Sequence, residues 1–304
     1  MNNYPRDLIG YGDAPPDPEW PHGNRLALQI VLNYEEGAEN SVLHGDEASE
    51  SINSDMPGAI PWWGERNLAM ESHYEYGSRV GVWHLLDEFS ERSLPITAFV
   101  VGMAIMRHRA VAHRLMADGH EMAAHGWRWV DYRNCPPEVE SDHINRTIKT
   151  IEDLTGERPV GWYTGRVSEN TRRLVVQEGG FLYDSDAYND DLPHWRRVGD
   201  RDHLIIPYAF DTNDMRFASA PGFDSGKDYF EYLRDTFDFL YERSGKRGRM
   251  MSVGLHCRLV GRPGRMVALR RFLDHVQRRR GVWICRRADI ARHWIARHSP
   301  STQP

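Results

Sequence analysis

Short, almost wholly apolar segments alternate along this chain with segments whose apolar residues recur at helical spacing. Residues 26–32 are nearly all apolar and are followed at once by polar residues, which predicts a buried strand. Helical spacing begins near Ser78, and the next apolar run, 95–101, predicts a second strand. Further strands are predicted at 121–124, 181–183, 204–206 and 251–255, and helices at 108–117, 141–154, 172–178, 228–243 and 266–279. This repeated strand–helix order indicates a parallel sheet or a barrel.

Two long polar segments interrupt the alternation, at residues 38–66 and 207–227. Both are longer than the structureless connections of compact domains usually are, and such segments commonly form lids or interfaces. Trp62 and Trp63, in the first segment, either wall a pocket or pack at a subunit interface. We expect one α/β domain over residues 1–304, with the two segments as insertions over the top of the barrel.

The composition is typical of a globular protein rather than of a nucleic-acid binder. The chain has 304 residues, of which 40% are hydrophobic, so it can bury a large core. Its net charge of −6 arises from 38 basic and 44 acidic residues mixed along the sequence, which predicts no continuous basic face for nucleic acid. A local basic cluster consists of Arg278, Arg279, Arg280, Arg286 and Arg287. We interpret it as the solvated end of a helix and the loop after it, and assign it no function.

The cysteines and the N-terminus bear on the compartment. Cys135, Cys257 and Cys285 are odd in number and widely spaced, which argues against a disulfide framework and against a thiolate zinc site. A reducing compartment fits this pattern. The first residues lack the apolar core of a secretion signal, and no stretch of about 18 apolar residues occurs. We therefore expect a cytoplasmic protein that does not contact a membrane.

Three polar clusters each follow directly on a predicted strand, at 33–39, 125–129 and 256–258. Catalytic groups of barrel enzymes lie at the carboxyl ends of the strands, so we expect the clusters to converge on one rim. Glu35 and Glu36 are adjacent like charges, which raises one of their pKa values and suits a general base acting on water. The alternative is a pair of solvated loop acids, but their place after a buried strand favours the catalytic reading.

Histidines in the other two clusters are candidates for the same site. His125 and Trp129 are four residues apart, and they share a face if residues 125–129 form a helical turn. His256 follows an apolar strand and is placed to protonate a leaving nitrogen as a general acid. Taken singly, a histidine is more often a structural hydrogen-bonding residue, so it is their combination that indicates a site.

These clusters, in this order, resemble the polysaccharide deacetylase (NodB-homology) family, and the likeness extends from about residue 26 to residue 290. That family carries an Asp-Asp pair after its first strand, a His-x-x-x-His motif and a histidine at the end of a late strand. In this chain Glu35–Glu36 stands in the first position, His125 with Trp129 in the second, and His256 in the third. The resemblance implies the distorted (β/α) barrel of that family.

The same resemblance places a divalent metal at three positions, two of which differ in this chain. The family's second Asp and both histidines bind the metal, and these positions fall on Glu36, His125 and Trp129. An indole nitrogen only donates hydrogen bonds, and a catalytic zinc normally needs three protein ligands. Unless His256 or a loop histidine such as His44 replaces a ligand, we expect a site without metal and without another cofactor.

The departures themselves resemble a branch of the family, the PuuE-type allantoinases, which carry Glu-His-Trp in place of Asp-His-His. Further matching stretches are at 161–166, 181–186, 191–193 and 254–258. This resemblance implies hydrolysis of (S)-allantoin to allantoate in purine nitrogen recovery. It also implies a homotetramer, in which the extra segments narrow the open sugar groove of the family.

Ring opening of a hydantoin explains why a metal is dispensable. The leaving nitrogen is already acidified by the neighbouring urea carbonyl, so less Lewis-acid help is required than for an acetamide. Our hypothesis is that Glu36 or Glu35 deprotonates water and that His256 protonates the leaving nitrogen. The Trp129 Nε1–H and His125 then bind the substrate or the developing oxyanion.

Recognition of a small ureide requires further polar groups, and alternative functions remain open. Candidates on the predicted rim loops are Arg166, Asp211, Asn213 and Arg258, each of which is equally typical of an ordinary surface loop. The first alternative is a metal-dependent deacetylase of chitin-like or peptidoglycan chains, and another is a hydrolase of a different hydantoin or cyclic imide. A third is an inactive barrel that binds carbohydrate through aromatic residues, since the chain has 10 Trp.

Overall fold

The computed structural model of the protein describes residues 6–245 and 247–300. Its sheet contains β1 (Leu26–Tyr34), β2 (Thr97–Val100), β3 (Glu121–Ala124), β4 (Gly161–Trp162), β5 (Tyr183–Asp184), β6 (His194–Val198), β7 (Arg201–Ile205), β8 (Arg249–His256) and β9 (Val282–Ile284). Its α-helices are α1 (Leu68–Tyr76), α2 (Val82–Glu91), α3 (Gly102–Arg107), α4 (Arg109–Ala117), α5 (Pro137–Thr155), α6 (Thr171–Glu178), α7 (Gly226–Arg243), α8 (Pro263–Gln277) and α9 (Arg287–Arg297). A π-helical turn, Gly77–Gly81, joins α1 to α2.

The longest strand of the sheet is β1, which lies between β2 and β8, runs parallel to both, and also pairs at its start with β9. All of its residues are buried, as expected for a parallel strand that is covered on both faces. From β2 the sheet continues in parallel through β3, β4, β5 and β7, and it ends in an antiparallel hairpin of β7 with β6. With helices between the parallel strands, this is the expected distorted (β/α) barrel, and that prediction is confirmed.

The barrel is closed by a loop and by a buried arginine, because β7 and β8 do not pair within the described residues. Asn213 forms an isolated parallel bridge with Gly254 of β8. Arg287, at the start of α9, donates hydrogen bonds to the carbonyls of Ile206 and Pro207 and to the Ser252 hydroxyl. The interpretation of Arg287 as part of a solvated cluster is therefore wrong, since its side chain is fully buried and connects the two edges of the open sheet.

Several elements differ from the sequence prediction for identifiable reasons. The helix expected from Ser78 begins at Leu68, where apolar periodicity is weak because α1 buries only Met70 and Tyr74. The hairpin of β6 and β7 was not predicted in full, since most of its residues are polar and exposed or half-buried. In the part of the chain that the structure describes, no helix is long and apolar enough to cross a membrane.

Candidate active site

The candidate site lies where β1, β3 and β8 end. The register of the sheet sets Asn33 of β1 level with Phe99 of β2 and with His256 of β8, so the residues that follow these strands meet at one rim. The side chains that meet there are nearly inaccessible: Glu35 is 1% exposed, His125 2%, and His256 4%. The three polar clusters of the sequence thus come together at one edge of the sheet.

The carboxylate of Glu35 is the centre of this arrangement. Its Oε1 lies 3.3 Å from His125 Nε2 and 3.5 Å from His256 Nε2. Its Oε2 accepts a hydrogen bond of 2.7 Å from Arg258 Nη2. Burial alone would raise the pKa of Glu35, but the charges of Arg258 and His256 outweigh this effect and hold the pKa well below its usual range. Glu35 is therefore a carboxylate throughout the neutral pH range.

His256 is held by a second buried carboxylate, that of Asp214. The His256 Nδ1 lies 2.7 Å from Asp214 Oδ1, while Asp214 Oδ2 accepts the backbone N–H groups of His256 at 2.7 Å and Val260 at 3.0 Å. Burial opposes the charged imidazole, but Glu35 and Asp214 together raise the pKa of His256 to about 9. At neutral pH the ring is an imidazolium with its Nε2–H directed toward Glu35, which is the state that a general acid requires.

Asp214 was missed at the sequence level. It lies inside the irregular segment 207–227, at the start of a short 3-10 helix, and nothing in the local pattern distinguishes it from Asp211. Its partner His256 is distant in sequence, so the contact depends on the fold. The Asn213–Gly254 bridge, which attaches this segment to β8, is what brings the carboxylate to the histidine.

His125 is oriented by the loop after β4. Its Nδ1–H donates to the Tyr163 carbonyl at 3.0 Å, because a carbonyl can only accept, and its Nε2 is left facing Glu35. The ring also packs against Tyr163, with centroids 5.0 Å apart. Residues 125–129 do not form a helical turn, because Gly126 adopts a φ of +74°, which is incompatible with an α-helix.

Trp129 lies between two arginines at the edge of the site. The guanidinium carbon of Arg166 is 3.8 Å from the indole centroid, and that of Arg258 is 5.3 Å from it. The Arg166 Nη2 is buried and has no hydrogen-bond partner among the described residues. Trp129 is 6% exposed, and its backbone N–H donates to the Ala38 carbonyl. The unpaired nitrogen of Arg166 is thus a donor next to Trp129, and the Trp129 ring lies near Arg258, which bonds to Glu35.

Glu36 points away from the two histidines. Its Oε1 accepts from Arg258 Nη1 at 3.2 Å, and its Oε2 accepts the backbone N–H of Glu35 at 3.1 Å. The carboxylate is pressed against Gly77 of the π-helical turn, where any Cβ would overlap it. Burial and the adjacent charge of Glu35 raise the pKa of Glu36, although Arg258 partly offsets them.

The four residues expected to bind substrate have different environments. Arg166 lies beside Trp129, as described above. Arg258 is fully buried and directs its guanidinium at the two glutamates, so it is part of the cluster and not a separate rim contact. Asn213 caps a short helix and donates to the Tyr208 hydroxyl, which uses both ends of its amide. Asp211 is exposed and accepts from the Tyr232 hydroxyl.

The residues at the family's metal positions do not form a metal site. The indole nitrogen of Trp129 is a donor without a lone pair for a cation, and the Glu36 Oε1 already accepts from Arg258. In the described residues, no group of three His, Cys, Asp or Glu side chains is arranged to hold a metal ion. The donor set that the structure shows is therefore unsuited to the divalent metal of the family.

Comparisons with known proteins identify relatives over nearly the whole of this chain. A family model described as polysaccharide deacetylase matches residues 70–180. A crystal structure of Puue Allantoinase is 53% identical and covers 98% of this chain and 99% of its own, with a TM-score of 0.96. The structure of a probable polysaccharide deacetylase from Pseudomonas aeruginosa PAO1 is 55% identical with the same coverage and a TM-score of 0.95. A Schizosaccharomyces pombe protein that bears the name of a polysaccharide deacetylase is 40% identical over 96% of this chain and 98% of its own length.

Proposed function

Because the chain belongs to the polysaccharide deacetylase family, we propose that it hydrolyses a cyclic amide, and that its substrate is (S)-allantoin, which it opens to allantoate. The likeness to Puue Allantoinase over nearly the whole of both chains supports this choice. The observation that carries it is the burial of the site. Glu35, His125, Trp129 and His256 are each at most 6% exposed, and so enclosed a group of side chains suits a small ring better than a polymer.

The arrangement of Glu35 and His256 fits hydrolysis with balanced proton transfers. Glu35 removes a proton from water, and the water oxygen bonds to the ring carbonyl carbon. The ring C–N bond then breaks, and the leaving nitrogen takes the Nε2 proton of His256. The Glu35 Oε1 is 3.5 Å from that Nε2, so the proton held by Glu35 can return to His256 for the next cycle.

The low pKa of Glu35 would make it a weak base if the charges around it were fixed. They are not fixed during the reaction, because His256 loses its positive charge when it protonates the leaving nitrogen. One of the two cations that lower the pKa of Glu35 is then neutralised, and the carboxylate binds its new proton more firmly. The two proton transfers therefore assist each other.

Glu35 is the better candidate for the base of the two glutamates. It lies between both histidines, whereas both oxygens of Glu36 are occupied by N–H donors and its carboxylate faces Gly77. We assign Glu36 to the support of the site, where it shares Arg258 with Glu35.

The oxyanion that forms at the attacked carbonyl needs donors in a dry site. We propose the Nε1–H of Trp129 and the unpaired Nη2 of Arg166, whose guanidinium stacks on the indole. His125 is not one of these donors, because its Nδ1–H is used on the Tyr163 carbonyl and its Nε2 is then an acceptor, which faces Glu35 and can orient the attacking water. Such donors replace part of the Lewis-acid help that a metal supplies in acetamide hydrolysis.

Deacetylation is a second candidate, favoured by the names of the Pseudomonas aeruginosa and Schizosaccharomyces pombe relatives. Both reactions add water to an amide carbonyl, so a substrate panel separates them. We would incubate the full chain with allantoin, hydantoin, dihydrouracil and N-acetylglucosamine oligomers, and measure ring opening and released acetate. Ring opening of allantoin without acetate release is expected. Acetate release from the oligomers with inert allantoin would replace our proposal by the deacetylase.

Self-association and location complete the proposal. Large apolar side chains are exposed in the first insertion, at Leu43, Ile52, Ile60, Trp62 and Trp63, and at the start of α1, at Leu68. Such a concentration marks a contact surface, and we propose that it joins copies of the chain in the homotetramer that the resemblance implies. Light scattering of W63S against the parent chain would test this.

The three cysteines carry free thiols, which fits the cytoplasm that we propose as the compartment of this protein.

A further inference from the structure

A fully buried guanidinium lies in the middle of the acidic part of the site. Arg258 donates to Glu35 Oε2 at 2.7 Å and to Glu36 Oε1 at 3.2 Å, and all three side chains are withdrawn from solvent. Its guanidinium carbon is 4.1 Å from the ring centroid of Tyr74 and 5.3 Å from that of Trp129. One positive charge thus faces two carboxylates and two aromatic rings, without access to bulk water.

The contacts of Arg258 leave its guanidinium little freedom to move out of the site. The Nε–H donates to the Asn53 carbonyl at 2.9 Å, which ties the side chain to the first insertion. The turn that carries Arg258 packs against the π-helical turn, where a Cβ on Gly81 would overlap the Cys257 carbonyl. Arg258 is therefore held from both sides, by the insertion and by the helix.

The guanidinium also occupies the neighbourhood of two of the three residues at the family's metal positions. It bonds directly to Glu36 and lies near the ring of Trp129. A divalent cation would need the same carboxylate lone pairs that Arg258 uses, and two cations at that distance repel each other strongly in a buried site. An arginine guanidinium remains charged at all ordinary pH values, so it cannot give way by losing a proton.

We propose that Arg258 is a positioning residue that serves as the resident cation of this site: it balances Glu35 and Glu36 in place of a divalent metal, and it excludes that metal while it is present. The inference rests on the proposed function, because it treats the charge of Arg258 as the substitute for a metal in that reaction. Metal binding can nevertheless be measured without turnover, so failure of the inference and failure of the allantoinase proposal are distinguishable.

The test restores the missing ligand with and without Arg258. We would prepare the parent chain, W129H, W129H/R258M and W129H/R166M, saturate each with zinc, remove excess by gel filtration and measure bound metal by elemental analysis. Arg166 is the matched control, because it also stacks on Trp129 but contacts neither glutamate. Circular dichroism with and without zinc reports whether each variant is folded.

We expect about one zinc per chain in W129H/R258M and none above background in the parent chain, W129H and W129H/R166M. If W129H/R258M is unfolded alone, folding on addition of zinc supports the inference equally, because a metal then replaces the lost cation. Stoichiometric zinc in W129H, with Arg258 still present, would overturn the inference whether or not the double variant folds. Equal zinc binding by W129H/R166M and W129H/R258M would overturn it as well.

Discussion

Asp214 fixes His256 twice, since one of its oxygens is 2.7 Å from the ring Nδ1 and the other accepts the backbone N–H of the same residue at 2.7 Å. The first contact leaves Nε2 as the nitrogen that faces Glu35. The second contact fixes the position of the His256 backbone at the end of β8. Asp214 thus sets the orientation of the proposed general acid and, together with Glu35, maintains its positive charge.

The substitution D214N tests this relationship. An amide keeps the shape of the side chain but removes the charge that stabilises the imidazolium, so we expect turnover of allantoin to fall by about 10²–10⁴-fold. D224N is the matched control, because Asp224 lies in the same irregular segment but is exposed. Similar rates for D214N and the parent chain would remove Asp214 from the account.

The pH dependence of turnover should follow His256. Its imidazolium form is the proposed acid, and its pKa is raised to about 9. Raising the pH through this value removes the proton, so kcat/KM should be level at neutral pH and should decline above about 9. In D214N the decline should begin at a lower pH, because one of the charges that raise the pKa is gone. A decline near the ordinary histidine value in the parent chain would contradict this.

The pair of variants E35Q and E36Q separates the two glutamates. Glutamine cannot take a proton from water, and we expect E35Q to lose about 10²–10⁴-fold in kcat. E36Q should lose clearly less, because Glu36 supports Arg258 and does not face the histidines. The measurement is the initial rate of ring opening at saturating substrate. A greater loss in E36Q than in E35Q would reverse the assignment.

The indole of Trp129 is tested by W129F. Phenylalanine retains an aromatic face for Arg166 but lacks the N–H donor, and one oxyanion donor is typically worth about 3 kcal/mol. We therefore expect a fall in kcat on the order of a hundredfold. W127F serves as the control, since Trp127 is also buried but stacks under Arg146. Unchanged turnover in W129F would exclude the indole from the mechanism.

The sequence predicted those parts of the site that follow directly on strong strands. The clusters at Glu35, His125 and His256 could be identified because each comes after an apolar run, and parallel strands bring their carboxyl ends to one rim. The choice between Glu35 and Glu36 could not be made, since it depends on which side chain turns toward the histidines.

Contacts between segments that are distant in sequence could not be predicted from the sequence alone. Arg258 was predicted to bind substrate at the rim because it follows a strand. Its guanidinium is instead oriented by the Asn53 carbonyl and by the two glutamates. Arg287 was interpreted as solvated because other arginines lie near it in sequence, yet its buried side chain reaches across the open edge of the barrel. Local patterns of polarity do not report such long-range partners.

The central claim is that the protein opens a cyclic ureide without a bound metal. The most direct measurement is to treat the chain with a chelator, remove the chelator, confirm by elemental analysis that metal is absent, and follow the conversion of allantoin to allantoate. The account predicts a rate that equals that of the untreated protein and that added zinc does not increase. Absence of ring opening, or ring opening that appears only when zinc is restored, would contradict it.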